Sequence, residues 1–219
     1  MSQDLMSRLA AADSSSLSDA DKSLRVMDSG LRPLGAGLRL IGRAFTVAAH
    51  DDLLPMFEAF TQAQAGDVLV VETAGSPHAV AGELFAAEAQ RLGLAGVVID
   101  GFCRDAVGIR ELGLPFYARG VTPRAAPGQQ PEPRVGVAVQ VGGVEVSPGD
   151  LLVGDEDGIV LGSEAEIETA LSVMEGIQEA EGAILAAVRS GTSLLDKILY
   201  AEHLTRLRAG ESSKLEFKP

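Results

Sequence analysis

Residues Gly82–Thr122 read GELFAAEAQRLGLAGVVIDGFCRDAVGIRELGLPFYARGVT, and helix and strand signals alternate along the run. Helical periodicity over Leu84–Leu92 gives way to an apolar strand, Val97–Ile99. A short helical segment, Ala106–Leu112, and a second strand, Phe116–Ala118, follow. The first strand ends in Asp100-Gly101 and delivers an adjacent cation and acid, Arg104-Asp105, after twenty residues that intervene from Glu83. Arginine grips a planar carboxylate or carbonyl, and aspartate holds a hard metal ion, so this stretch is also where chemistry is expected.

The same signals continue outward. Leu5, Met6 and Leu9 line one face of a short N-terminal helix, and Ser18-Asp19 opens a second. Ala44–Ala48, Val68–Val71, Val135–Val141, Leu151–Val153 and Ile159–Leu161 read as further strands. Leu53–Gln64 reads as a helix, with Pro55 at its start. The segment Arg124–Arg134, with Pro127, Pro131 and Pro133, reads as a loop. Residues 163–208 are helical, with Gly191 as a stop and a last helix over Leu194–Leu207. With 219 residues and no composition break, a single domain over 1–219 is expected.

Net charge is −13 and no basic stripe is present, which argues against direct binding to nucleic acid. A single cysteine, Cys103, fits a reducing, cytoplasmic compartment. The chain has no apolar leader and no run long enough to span a membrane. With no Trp and 4% aromatics, the core must be built from Ala, Val, Leu and Ile.

Several familiar sites are excluded. Gly35, Gly37 and Gly42 precede a strand, whereas a dinucleotide fingerprint follows one, and no Walker motif exists. Asp155-Glu156-Asp157-Gly158 lacks calcium-loop spacing and reads as a hairpin turn. His50, His78 and His203 share no zinc spacing, and Cys103 reads as structural and not as the partner of a His78 base. Carboxylates remain: Glu83, Asp100, Asp105, and Glu175, Glu179 and Glu181 on an acid-rich helix whose acids mostly form its solvated face. Glu83 follows Gly82 at a helix start, where the amides of Leu84 and Phe85 are expected to hold an anion. A substrate carboxylate there, with Arg104 at its other end and Asp105 holding Mg²⁺ or Mn²⁺, suits a 2-oxo acid.

The run GEL…AGVVIDG..RD…REL..P..ARG.TP, with GRAFTV and AGDVLVV upstream and GG..V.PGDLLVGD.DGIV downstream, resembles the 4-hydroxy-4-methyl-2-oxoglutarate aldolases and their RraA-like relatives over roughly residues 15–195. The resemblance implies an α/β fold, a swivelling β/β/α sandwich whose C-terminal helices pack across subunits of a homotrimer or hexamer. It implies divalent-metal aldol cleavage to pyruvate, with oxaloacetate decarboxylation. The family's acid–Arg–Asp set falls on Glu83, Arg104 and Asp105, with Glu where the aldolases usually carry Asp. Its substrate-binding amides fall on Gly82, Leu84 and Phe85. Its metal ligand falls on Asp105, and its helix glutamate, donated across the interface, on Glu181. Non-catalytic RraA proteins of this fold inhibit a ribonuclease, which is the alternative expectation. A quinone-methyltransferase label found among relatives has no counterpart here, because no glycine-rich methyl-donor loop follows a first strand.

Overall fold

The computed structural model describes residues 2–213, Leu215 and Phe217. Two compact units divide the chain, Met1–Leu171 and Ser172–Pro219. The element order is α1 (Gln3–Ala11), α2 (Ser14–Ala20), β1 (Arg25–Val26), β2 (Arg32–Pro33), β3 (Leu40–Ala48), α3 (Leu54–Gln62), β4 (Asp67–Glu72) and β5 (Ala79–Ala81). There follow α4 (Glu83–Arg91), β6 (Gly96–Cys103), α5 (Ala106–Leu112), β7 (Phe116–Val121), β8 (Arg134–Val135), β9 (Val139–Val141), β10 (Val144–Val146), β11 (Leu151–Gly154) and β12 (Ile159–Gly162). Helix α6 (Glu164–Arg189), a 3₁₀ turn (Leu194–Lys197) and α7 (Tyr200–Arg208) come last among the described elements. None of the helices, among the described residues, is long and apolar enough to cross a membrane.

The fold is α/β. One large sheet runs β1-β12-β11-β3-β4-β6-β7-β2, with β5 pairing to β6 and β8 to β3. Its centre, β3-β4-β6-β7, is parallel, and its flanks are antiparallel. Central strands buried on both faces must be apolar at every position. In β4, Leu69 and Val71 enter one core while Val68 and Val70 enter the other. The first core lies under α3, α4 and α5 and takes in Met56, Ala59, Ala86, Ala89 and Ile109. Alanines on the inner face of α4 let that helix approach the sheet closely. The second core is covered by the ribbon β9-β10 through Val139, Val141 and Val146. The first unit is therefore a helix layer, a sheet and a β ribbon. Burying Ile109 alone, 1% exposed, contributes about 2–3 kcal/mol.

Three sequence expectations shift. The strand expected over Val135–Val141 is two strands, because Gly136 at φ 65° turns the chain between β8 and β9. The second helix starts at Ser14, because the Asp13 carboxylate accepts from Ser16 N–H at 2.7 Å and supplies the cap. The last helix is a 3₁₀ turn followed by α7, with Ile198 in extended backbone between them. The turn at Asp155–Gly158 is the β11–β12 hairpin, and the Asp155 carboxylate accepts from Ser14 N–H and Oγ–H, at 2.8 and 2.6 Å.

Candidate active site

A kink in β6 gathers the site. The pairing register slips between Ile99 and Phe102, and the strand then turns from β4 to β5. Gly101 permits the close approach at the kink: a Cβ there would overlap the Thr73 side chain, whose hydroxyl donates to the Asp100 carbonyl at 2.6 Å. Beyond the kink, Arg104 N–H donates to Ala81 C=O at 3.0 Å, and Thr122 N–H to Cys103 C=O at 2.9 Å. The end of β5, the end of β6 and the end of β7 thus meet, and Gly82, Arg104, Asp105 and Thr122 become neighbours.

Gly82 is the N-cap of α4 and has no side chain to close the helix end. A Cβ at this position would overlap Asp105 Oδ2 and lie 2.9 Å from Arg104 Cγ. Asp105 Oδ2 lies 3.4 Å from Glu83 N–H and 3.4 Å from Arg104 Nε. One acid, one guanidinium and one helix N-terminus therefore share a single point. Asp105 itself is held left-handed, at φ 57° and ψ 39°, where a non-glycine residue costs on the order of 1 kcal/mol. Such strain persists where the surrounding structure imposes it, and here the α5 start and the β5–β6 pairing do so.

The amides partly revise expectation. Phe85 N–H donates to Gly82 C=O at 3.1 Å, closing the first turn, so it is not free for a substrate carboxylate. Glu83 N–H, at its long contact to Asp105, and Leu84 N–H, which has no partner among the described residues, are the available donors. The Phe85 ring instead anchors α4, with centroids 5.0 Å from Phe57 and 5.8 Å from Phe60. The Glu83 carboxylate lies against Gly108 of α5.

Arg104 and Asp105 open into a hollow of about 330 Å³ whose other walls are Ala106, Val121, Thr122 and Pro123. Their side chains are 44% and 46% exposed, and the apolar Leu84, Val107 and Val121 nearby are exposed as well. Among the described residues no three His, Cys, Asp or Glu side chains converge on one point. The donor set at the hollow is one carboxylate without imidazole or thiolate, which matches a hard ion that keeps most of its own water.

Other expected groups lie elsewhere. Asp100 accepts from Gly142 N–H at 2.7 Å and from Arg119, which also pairs with Asp28 at 3.0 Å, so its charge is spent in a latch that ties β6 and β7 to the Asp28 segment and the β9–β10 turn. Glu181 lies on α6 in the second unit, beside an apolar hollow formed with Ile184, Leu185, Val188, Leu194 and Phe217. His50 pairs with Glu72 at 3.1 Å and His78 with Asp51 at 2.6 Å. The Cys103 thiol is pushed up to about 11, chiefly by burial and further by the Asp105 charge, so it stays protonated and is no nucleophile. Sequence reading missed the wall Val121-Thr122-Pro123 and the role of Gly108. A glycine inside a seven-residue helix was the available signal.

The chain matches the family described as RraA-like, Aldolase/RraA, over residues 14–161. A Halalkalibacterium halodurans protein provisionally named 4-hydroxy-4-methyl-2-oxoglutarate aldolase is 32% identical over 170 residues, which is 77% of this chain and 80% of that one. An uncharacterized Pseudomonas syringae protein of solved structure superposes with a TM-score of 0.77 at 26% identity, over 90% of this chain and 97% of that one. Streptomyces coelicolor RraAS2, described as an unusual member of the RNase ES inhibitor RraA family, superposes with a TM-score of 0.73 at 31% identity, over 83% and 96% of the two chains.

Proposed function

The chain belongs to the RraA-like Aldolase/RraA family, and from that premise we propose that it is a divalent-metal-dependent lyase that cleaves 4-hydroxy-2-oxo acids to pyruvate and decarboxylates oxaloacetate. The observation that carries this reading is the convergence of Asp105 Oδ2, Arg104 Nε and the N-terminal amide of α4 within 3.4 Å at an open hollow.

Each group has a task. Asp105 would hold Mg²⁺ or Mn²⁺, which supplies Lewis-acid polarisation of a bound carbonyl. Glu83 and Leu84 N–H, at the positive end of α4, bind the substrate carboxylate. Arg104 donates to the keto oxygen and offsets the negative charge that grows there as the C–C bond breaks. Both reactions leave the same three-carbon fragment with the same charge on that oxygen, so one site serves both. The Glu83 carboxylate has no hydrogen-bond or ion-pair partner among the described residues, which leaves it free to carry a proton through water. Exposed Leu84, Val107 and Val121 beside the hollow support burial against a second copy; the reading takes that assembly as a homotrimer or hexamer with Glu181 donated across its interface.

The test is pyruvate release from oxaloacetate and from a 4-hydroxy-2-oxo acid, with and without chelator. Activity silenced by chelator and restored by Mg²⁺ or Mn²⁺ supports the reading. Turnover that ignores chelator refutes it. The RraA-described neighbour and the net charge of −13 favour a second reading, a regulator that binds a basic protein. Absence of any turnover with intact ribonuclease inhibition would establish that reading instead.

A further inference from the structure

We infer that Gly108 is a positioning residue for Glu83. Both belong to the α4–α5 pair, Glu83 as the first residue of α4 and Gly108 as the third of α5. A Cβ built on Gly108 would overlap the Glu83 carboxyl carbon and lie 2.5 Å from its Oε2 and 2.8 Å from its Cγ. The Glu83 side chain therefore lies across α5 at the one position where α5 has no side chain. No hydrogen bond or ion pair holds that carboxylate among the described residues, so packing against Gly108 sets where it sits.

The backbone gives no other reason for this glycine. Gly108 is not in the left-handed region, and glycine weakens a helix interior relative to alanine. The helical glycines of α6 are different: a Cβ at Gly176 or Gly182 would meet nothing within 4 Å. At position 108 the atoms in the way are the far end of a flexible side chain, so an added methyl displaces the acid and spares the fold. Side-chain length at 83 and empty space at 108 are thus a matched pair, and changing one requires changing the other.

The inference rests on the reading of Glu83 as the acid of the site, and the experiment separates the two. Gly108→Ala, Glu83→Ala and the double variant are compared with the wild type for metal-dependent pyruvate release and thermal stability, and the wild type and Gly108→Ala for the NMR resonance of the labelled Glu83 carboxyl carbon. Gly108→Ala is expected to cut kcat on the order of tenfold to a hundredfold, with KM nearly unchanged, the melting temperature held or raised, and the Glu83 resonance moved. Alanine at position 83 lacks the Cγ, carboxyl carbon and Oε2 that meet position 108. In the Glu83→Ala background the added methyl should therefore change the residual kcat less than threefold, on the scale expected of decoupled sites. If Gly108→Ala does not fold, the double variant should fold, because it removes the overlap; failure of both overturns the inference. Full kcat together with an unmoved Glu83 resonance in Gly108→Ala also overturns it. If the wild type releases no pyruvate, the functional reading fails, and the Glu83 resonance in Gly108→Ala still decides the pairing.

Discussion

Gly82→Ala is the substitution that asks most directly whether the shared point at Asp105 is the working site. Gly82 has extended backbone, φ −151° and ψ −160°, so alanine meets no backbone strain there. The added Cβ would overlap Asp105 Oδ2 and lie 2.9 Å from Arg104 Cγ, and Gly82 is buried, so the methyl has no route to solvent. To restore ordinary contact, the Asp105 carboxylate must retreat by on the order of 1 Å, and a displacement of that size costs about 10²-fold in rate. That corresponds to about 2.7 kcal/mol of transition-state stabilisation. The stability cost of overpacking is about 1–3 kcal/mol, a few degrees in Tm, since two exposed side chains can give way. Steady-state pyruvate release at saturating Mg²⁺, with a parallel melting curve, separates the two effects. The expected result is a folded protein with kcat/KM down about 10²-fold and a higher metal requirement. A folded Gly82→Ala variant with wild-type kcat/KM would refute the placement of chemistry at Arg104-Asp105.

Asp105→Asn keeps the shape and removes the charge, so the metal concentration for half-maximal activity should rise steeply and kcat fall. Arg104→Lys should lose about 10² to 10³ in rate, because a point charge does not reproduce the planar two-pronged donor; wild-type rates for either variant would count against the reading. Cys103 should resist a thiol reagent at neutral pH in the folded protein, since burial holds its thiol protonated up to about 11, and rapid labelling at pH 7 would contradict that placement. Burial would by itself raise the Asp52 carboxyl, but the N–H groups of Gln129, Leu54 and Gln130 donate to it and hold it below its ordinary value. Its stabilising contribution is therefore fully present above about pH 4 and is lost as pH falls through its lower folded value. Asp52→Ala should cost about 2–4 kcal/mol at pH 7 and flatten the acid limb of a stability curve, read by urea unfolding across pH. Light scattering should give a mass of three chains or a multiple; a stable monomer at micromolar concentration would deny the site its second wall.

Much of the fold was legible because its signals are local. Apolar runs at Val68–Val71 and Val97–Ile99 are what a strand buried on both faces requires, and the structure places them at the centre of the sheet. Pro55 at the α3 start, Gly191 after α6 and the Asp155–Gly158 hairpin follow from backbone chemistry that acts within a few residues. Gly136 was harder: its positive φ divides an apparently continuous strand, and the residue type alone does not say whether a glycine is used that way.

The sequence by itself determined which residues are adjacent along the chain, and so it set Arg104 beside Asp105 and put Glu83 at a helix start. Only the tertiary structure decided what those residues share. The kink at Gly101 brings β5 to β6, which sets Gly82 under Arg104 and Asp105 and takes Asp100 into a latch with Arg119. Closure of the first turn of α4 removes the Phe85 amide and leaves those of Glu83 and Leu84. The packing of α5 on α4 turns Gly108 from an unfavourable helix residue into the seat of a carboxylate. These are consequences of close approach between segments about twenty residues apart, and steric exclusion at that range depends on the path of the backbone, which no local pattern of residue types encodes.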